Sequence, residues 1–504
     1  MNTNEPRLVL PVDKYNLKLL AQVRPTDYVN PAPSGRYNMV VIGGGTAGLA
    51  TAMGAAGLGA KVALVEKQLL GGDSLNAGCV PSKALIRSAR AAAELRDAAE
   101  YGMKLRGGYE VDFAAVMERM RRLRAEIAPV DGVKVLTDKG VDVFLGNGSF
   151  LSGNTVDVEG TRLEFARAVI ATGTRAAVPS IPGIEAIEIL TNENLFWLTE
   201  LPKRLAVIGS GSTGAEMAQA FARFGSKVTV YDIASSFMPK EDRDASAIVR
   251  AAMAKDGVGF RLGVKEMEFS RAGDEIRIRV IENGHEQTDA FDKILMATGR
   301  VPNTEGLNLE GVGVKYDESG VVVNDRLCTT NSRIFACGDV ASEFKYTHAA
   351  DALARIVIGN ALFFGTHPAS QLNIPWTTFT DPEIAHVGVY GHAEEGQGLE
   401  TMHFPFTDSD RAVLDGQSNG MIKLHIDKKG NIKGATIAAA NAGEIIGEIV
   451  MAMNHRIKLG SLASDIHPYP TQSEIIKKCG DTYRQTMLTP TVEKFLKKLL
   501  KWRR

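Results

Sequence analysis

A chain of 504 residues with 44% hydrophobic content exceeds what one core can hold, and at roughly 150 residues per domain it divides into about three. A net charge of −1, with no basic cluster interleaved with aromatics before the last residues, gives no reason to expect a nucleic-acid partner. The four cysteines, Cys79, Cys328, Cys337 and Cys479, have neither zinc-ligand spacing nor the density of a secreted disulfide framework, which points to a reducing, cytoplasmic setting.

Residues 1–36 read as an N-terminal arm, because acids, amides and prolines interrupt the Leu and Val of Met1 to Leu20 and no apolar signal core forms. The apolar strand Val40-Val41-Ile42 then runs into Gly43-Gly44-Gly45-Thr46-Ala47-Gly48. A helix of small residues follows to Gly57, and a strand from Lys61 to Val65 ends on Glu66. This is a nucleotide cradle: Gly43 permits the tight turn, Gly45 lets the backbone approach a pyrophosphate, Gly48 lets helix pack on strand, and Glu66 faces a ribose. The most membrane-like window, Leu49 to Val65, is broken by Gly54, Gly57, Gly59 and Lys61.

Gly71-Gly72-Asp73-Ser74-Leu75-Asn76-Ala77-Gly78-Cys79-Val80-Pro81-Ser82-Lys83 comes next, with a helix predicted from Pro81 to Ala98. Cys79 lies where the positive end of that helix favours a thiolate. Ser74 carries a hydroxyl, which neither forms a disulfide nor exchanges as a thiolate does. Further on, Leu205-Ala206-Val207-Ile208 leads into Gly209-Ser210-Gly211-Ser212-Thr213-Gly214, and the strand Lys227 to Tyr231 ends at Asp232. Glu66 and Asp232 each follow the first glycine of their loop by 23 residues, so the chain contains the same device twice and two dinucleotides are expected. Ala171-Thr172-Gly173 and Ala297-Thr298-Gly299-Arg300 each follow an apolar strand and read as the returning segments of the two nucleotide domains.

In this order, with Arg333-Ile334-Phe335-Ala336-Cys337-Gly338-Asp339, Phe379-Thr380-Asp381-Pro382-Glu383 and Pro470-Thr471-Gln472-Ser473-Glu474, the motifs resemble those of the pyridine nucleotide-disulfide oxidoreductases from about Tyr37 to Thr486. The resemblance implies an α/β fold of two Rossmann-like nucleotide-binding domains and a C-terminal α+β dimerisation domain, hence a homodimer. It implies FAD in the first copy, on Gly43, Gly45, Gly48, Glu66, Lys67, Gly72, Asp73, Thr172, Gly173, Asp339 and His348. A nicotinamide nucleotide falls to Gly209, Gly211, Gly214, Asp232, Gly299 and Arg300. The implied boundaries are 37–185 for the first part of the FAD domain, 186–300 for the NAD domain and 301–370 for the FAD return segment. The dimerisation domain takes 371–488, and 489–504 is a basic amphipathic tail. NADH is expected over NADPH, because Asp232 holds the strand tip and no Arg occurs in Ile233 to Phe237 to receive a 2′-phosphate.

By the same resemblance Cys79 lies against the flavin as charge-transfer donor and Lys83 pairs with Glu216 where hydride arrives, whereas Ser74 stands where the family has its first redox cysteine. Tyr469, with Glu474 five residues on, replaces the His of the dithiol-reducing members and is similar to the mercuric reductase-like branch. A phenol near its ordinary pKa of about 10 is a poor base, so lipoamide or glutathione reduction is not expected. His467 reads as a polar dimer-interface residue, and Cys328 and Cys337 as strand-core residues. No cysteine occurs in residues 1–36, and no cysteine pair near Leu499-Leu500-Lys501-Trp502-Arg503-Arg504. The expected activity is hydride transfer from nicotinamide to FAD and on to a metal ion or another small acceptor, resembling mercuric reductase. The alternatives are a diaphorase, quinone reductase or NADH oxidase-type flavoprotein, an engineered Cys-to-Ser variant of a dithiol reductase, or a flavin-loaded protein without turnover. Val492, Phe495, Leu496, Leu499 and Leu500 keep the helical period after Pro490, with Lys494, Lys497, Lys498, Lys501, Arg503 and Arg504 elsewhere on the surface. Docking on the dimer is the reading preferred for this tail, with peripheral contact to an anionic membrane as the other.

Overall fold

The computed structural model describes residues 9–391 and 398–504. It contains two compact units, Met1–Ser235 with Gly257–Leu372, and Ser236–Asp256 with Asn373–Arg504.

The first unit is built on two sheets. In the larger, strands Val141–Leu145, Val62–Glu66, Tyr37–Ile42 and Thr161–Ile170 lie side by side in parallel, and Ile334–Ala336 returns to pair with Thr161–Ile170. Both faces are covered, which is why Val62–Glu66 is buried at every position and reads as an unbroken apolar run rather than an alternating one. The hairpin of Gly148–Ser152 and Thr155–Val158 adds an antiparallel extension. The smaller sheet runs Gly259–Leu262, Lys227–Asp232, Arg204–Ile208, Lys293–Met296 and Ile189–Leu190, all parallel. A three-stranded antiparallel sheet spans Lys265–Phe291. The predicted strands therefore sit at the centres of two doubly wound sheets, each feeding a glycine loop at its carboxyl edge.

Helix Cys79–Arg96 begins two residues before the Pro81 start expected from sequence, with Gly78 as its N-cap, so Cys79 opens the first turn. Ala84, Leu85, Ile86, Ala89, Ala92 and Ala93 are buried, and it packs on helices Phe113–Ile127 and Ser212–Phe224. The segment before the first strand is more than an arm. Asp13 caps helix Lys14–Val23, Leu19 and Val23 enter the core, and Asn16 receives the buried guanidinium of Arg124 at 2.7 Å.

The second unit is a five-stranded antiparallel sheet in the order Trp376–Thr378, Glu383–Gly388, Ile432–Ala439, Met421–Ile426, Glu400–Pro405. Helix Ala442–Asn454 lays Ile445, Ile446 and Ile449 into its core, and helix Glu474–Thr486 adds Ile475, Ile476 and Cys479. Helix Arg243–Lys255 also belongs to this unit although its sequence lies inside 186–300: Asp242 at its N-cap meets Lys423 Nζ on the sheet at 2.8 Å. Among the described residues no helix is long and apolar enough to cross a membrane.

Candidate functional site: two nucleotide cradles and a single thiol

The two glycine loops share their geometry as well as their spacing. Gly43 and Gly209 take φ of +111° and +105°, and a Cβ on either would lie 2.3 and 2.4 Å from the carbonyl oxygens of Ala171 and Ala297. A Cβ on Gly48 or Gly214 would lie 1.7 or 2.0 Å from the oxygen of Gly43 or Gly209. Only glycine permits these approaches, because the facing atoms are backbone and, at Gly43 and Gly209, an L-residue is also strained at such φ. The acids correspond too. Glu66 accepts from the N–H groups of Gly44 and Gln68, each at 2.6 Å, and Asp232 from those of Ser210 at 2.7 Å and Ala234 at 2.8 Å. Burial drives the Glu66 carboxyl above the usual range against these donors and the charges of Lys67 and Arg24. The helices behind the loops, Thr46–Gly57 and Ser212–Phe224, have glycine N-caps without a side-chain cap, so their first N–H groups face outward for an anion.

A cavity of about 310 Å³ runs from the first cradle to the helix bearing Cys79. At the cradle end Gly45 and Gly72 touch backbone to backbone, since a Cβ on Gly72 would lie 2.7 Å from the Gly45 Cα. Lys67, Asp73, Thr172 and Gly173 line the same cavity. Thr174 joins the network there, donating to Asp339 at 3.0 Å while Arg300 Nε donates to it at 2.6 Å. Arg300 also pairs with Asp73, so this nominal member of the second nucleotide site stands beside the first. Burial raises the Asp339 carboxyl, opposed by Arg300 and the Thr174 hydroxyl. Lys345 Nζ donates to the Asp339 carbonyl at 3.0 Å. An elongated, glycine-floored cavity with acids for hydroxyls at one end and a helix N-terminus for phosphate fits a flavin dinucleotide.

At the far end, Lys83 Nζ meets Glu216 Oε2 at 2.8 Å, with the glutamate side chain 7% exposed. Cys79 is exposed, and its sulfur lies 3.3 Å from the hydroxyl of Thr347. Thr347 donates in turn to Ser74 Oγ at 3.2 Å. Thr347 opens helix Thr347–Leu362 and thus stands between the two positions of the redox motif. Sequence reasoning missed it, as it missed Thr174 and Lys345; its only signal was adjacency to His348. His348 is exposed, lies off the cavity lining and stacks its ring on Tyr346 with centroids 5.6 Å apart. Gly211 and Gly299 line no part of this cavity.

Tyr469 and Glu474 belong to the second unit. The Tyr469 hydroxyl donates to Asp410 at 3.0 Å, and that carboxylate moves the phenol above its ordinary value. Glu474 begins the helix that follows. His467 Nε2 sits 3.0 Å from Glu448.

Two dinucleotide cradles, with a thiol and a lysine–glutamate pair in the cavity of the first, define a flavin- and pyridine nucleotide-dependent oxidoreductase. The chain belongs to the pyridine nucleotide-disulphide oxidoreductases, which match over residues 37–354, with the family's dimerisation domain over 374–479. It is similar to the mercuric reductase of Staphylococcus aureus, 33% identical over 453 residues, covering 89% of this chain and 83% of that one. The dihydrolipoyl dehydrogenase of Bacillus subtilis (strain 168) is 31% identical over 461 residues, covering 87% and 96%. Among solved structures, a Cys-to-Ser mutant of the HOCl-induced flavoprotein disulfide reductase RclA from Escherichia coli, as its Cu(II) complex, superposes with a TM-score of 0.78 at 29% identity, covering 88% of this chain and 99% of RclA.

Proposed function

We propose that this chain is a homodimeric, cytoplasmic NADH oxidoreductase of the mercuric reductase-like branch, passing electron pairs to a metal ion or another small acceptor without a redox disulfide. The observation that supports this reading is the chain of contacts from Cys79 through Thr347 to Ser74, which links one thiol and two hydroxyls. Bound FAD supplies the two-electron relay between nicotinamide and acceptor. Gly43, Gly45 and Gly72, which leave backbone bare, would admit its pyrophosphate, Glu66 and Asp339 would accept from its hydroxyls, and Lys83, paired with Glu216, would supply positive charge in the same cavity. Asp232 at the second strand tip supports NADH, since a carboxylate there repels a 2′-phosphate. Tyr469 in place of an imidazole supports the branch, because a phenol raised by Asp410 removes no proton from a dithiol at neutral pH.

A second cavity, of about 560 Å³, favours a quinone-type acceptor as a second reading. It borders Ser74 and Thr347, and Leu49, Met53, Leu75, Val80, Ile127 and Ile358 make it largely apolar. Steady-state NADH oxidation by the purified holoprotein, with Hg(II), a soluble quinone or oxidised lipoamide as acceptor, separates these readings. Turnover is expected with Hg(II) or the quinone and not with lipoamide. Lipoamide turnover comparable to either overturns the proposal.

A further inference from the structure

Helix Pro490–Trp502 is capped by Thr489 and starts on a proline, so it is a self-specified helix, yet every one of its residues is exposed. At about 100° per residue, Trp502, Phe495, Leu499, Val492, Leu496 and Leu500 fall in that order within an arc of about 160°. Lys497, Lys501, Lys494 and Lys498 fall within about 100° on the opposite side. Phe495 is 65% and Trp502 82% exposed, with Val492, Leu496 and Leu499 at 37–40%, so among the described residues the apolar arc is incompletely covered. We propose that this helix lies in the interface of an anionic phospholipid bilayer and holds the protein on that surface.

Charge chooses this occupant over a second copy of the chain. Residues 489–504 carry six cations and one acid, a net +5 in a chain whose total is −1. Four of the six cations are lysines. Interfaces between proteins deplete lysine, whereas helices lying on membranes concentrate it on the polar face, with Trp, Phe and Leu on the other. The long stems of Lys497 and Lys498, the lysines nearest the apolar arc, let their ammonium groups stay at headgroup level while the arc is buried. The helix also falls outside the segment matched by the family's dimerisation domain, which ends at residue 479.

The test is flotation of the full-length holoprotein with vesicles of phosphatidylcholine alone or mixed with phosphatidylglycerol. The protein is expected to float with the mixed vesicles and to remain behind with the neutral ones. Each lysine near an anionic surface contributes about fivefold in partition, so Lys494→Gln/Lys498→Gln lowers partition roughly 25-fold. Leu496→Ser/Leu499→Ser abolishes flotation while NADH turnover and sedimentation stay as in the parent. Absence of flotation on mixed vesicles overturns the proposal, and so does flotation indifferent to the two lysines. If the protein fails to float and the leucine variant sediments as a monomer, a second copy covers the face and the membrane assignment is wrong.

Discussion

Glu216 sits almost wholly inside the protein with its charge spent on Lys83, and the pair faces the cavity end that also holds Cys79. Removing the carboxylate takes from Lys83 the partner that holds its ammonium at 2.8 Å. Glu216→Gln is therefore expected to slow flavin reduction by NADH by about 10²-fold with flavin content unchanged, read by stopped-flow absorbance. Asp232 is expected to act on choice of nucleotide rather than on rate. Setting its carboxylate about 4 Å from a 2′-phosphate costs on the order of 1–4 kcal/mol, a preference for NADH of roughly five- to thousand-fold in kcat/KM. Equal efficiency with both nucleotides removes that assignment. Lys83, Glu216 and Asp232 could be picked out because motifs fix their place relative to a glycine loop or a cysteine. Thr347 and Thr174 could not, because they arrive from segments 268 and 165 residues away from Cys79 and Asp339 along the chain. Threonine at a helix start has ordinary reasons to be there.

At the level of elements, both strand–loop–helix devices stand where the apolar runs and glycine spacing place them, because φ near +110° and bare backbone contacts leave no other residue type. The grouping of helix Arg243–Lys255 with the second unit was illegible, since it rests on Lys423, 181 residues from Asp242. Burial opposes ionisation of Asp242, but Lys423 and two N–H groups outweigh it and hold the carboxyl below its ordinary 3.8. A depressed carboxylate stabilises the fold above its unfolded pKa, and the contribution is lost as pH falls through the lower folded value. Asp242→Asn leaves Lys423, among the described residues, the exposed carboxylate of Asp244 as its ion-pair partner and is expected to cost about 1–3 kcal/mol at neutral pH. That difference, measured by urea denaturation, should begin to shrink below about pH 4, where the unfolded chain's carboxyl takes up its proton, and vanish as pH falls through the lower folded value. The loops give a paired prediction. Gly209→Ala, with a Cβ 2.4 Å from a carbonyl oxygen, should raise KM for NADH about tenfold or more with flavin retained. Gly43→Ala, equally crowded, should instead empty the flavin site, as read from the absorbance of the purified protein.

Over the whole molecule, the inventory of sulfur decides how many electrons the protein can hold. Cys337 is fully buried with Thr51 Oγ1 at 3.8 Å, and burial pushes its thiol up to about 12. Cys479, inside the helix Glu474–Thr486, is likewise raised by burial, and Cys328 is raised in its bridge to Phe335. Thiols held neutral are poor nucleophiles in exchange, and of the four cysteines only Cys79 is exposed, on the lining of the first cavity. The Ser74 hydroxyl beside it accepts from Thr347 but stores no electrons. Anaerobic titration with dithionite should therefore stop at two electrons per flavin. Ser74→Cys places a second sulfur where Thr347 now bridges the two positions, and the titration should then take up four. The restored dithiol should still leave lipoamide unreduced, because Tyr469, bound to Asp410, offers no base to carry its protons. Uptake of four electrons by the unsubstituted protein would mean that another cysteine reaches Cys79, and the one-thiol account of the site would fall.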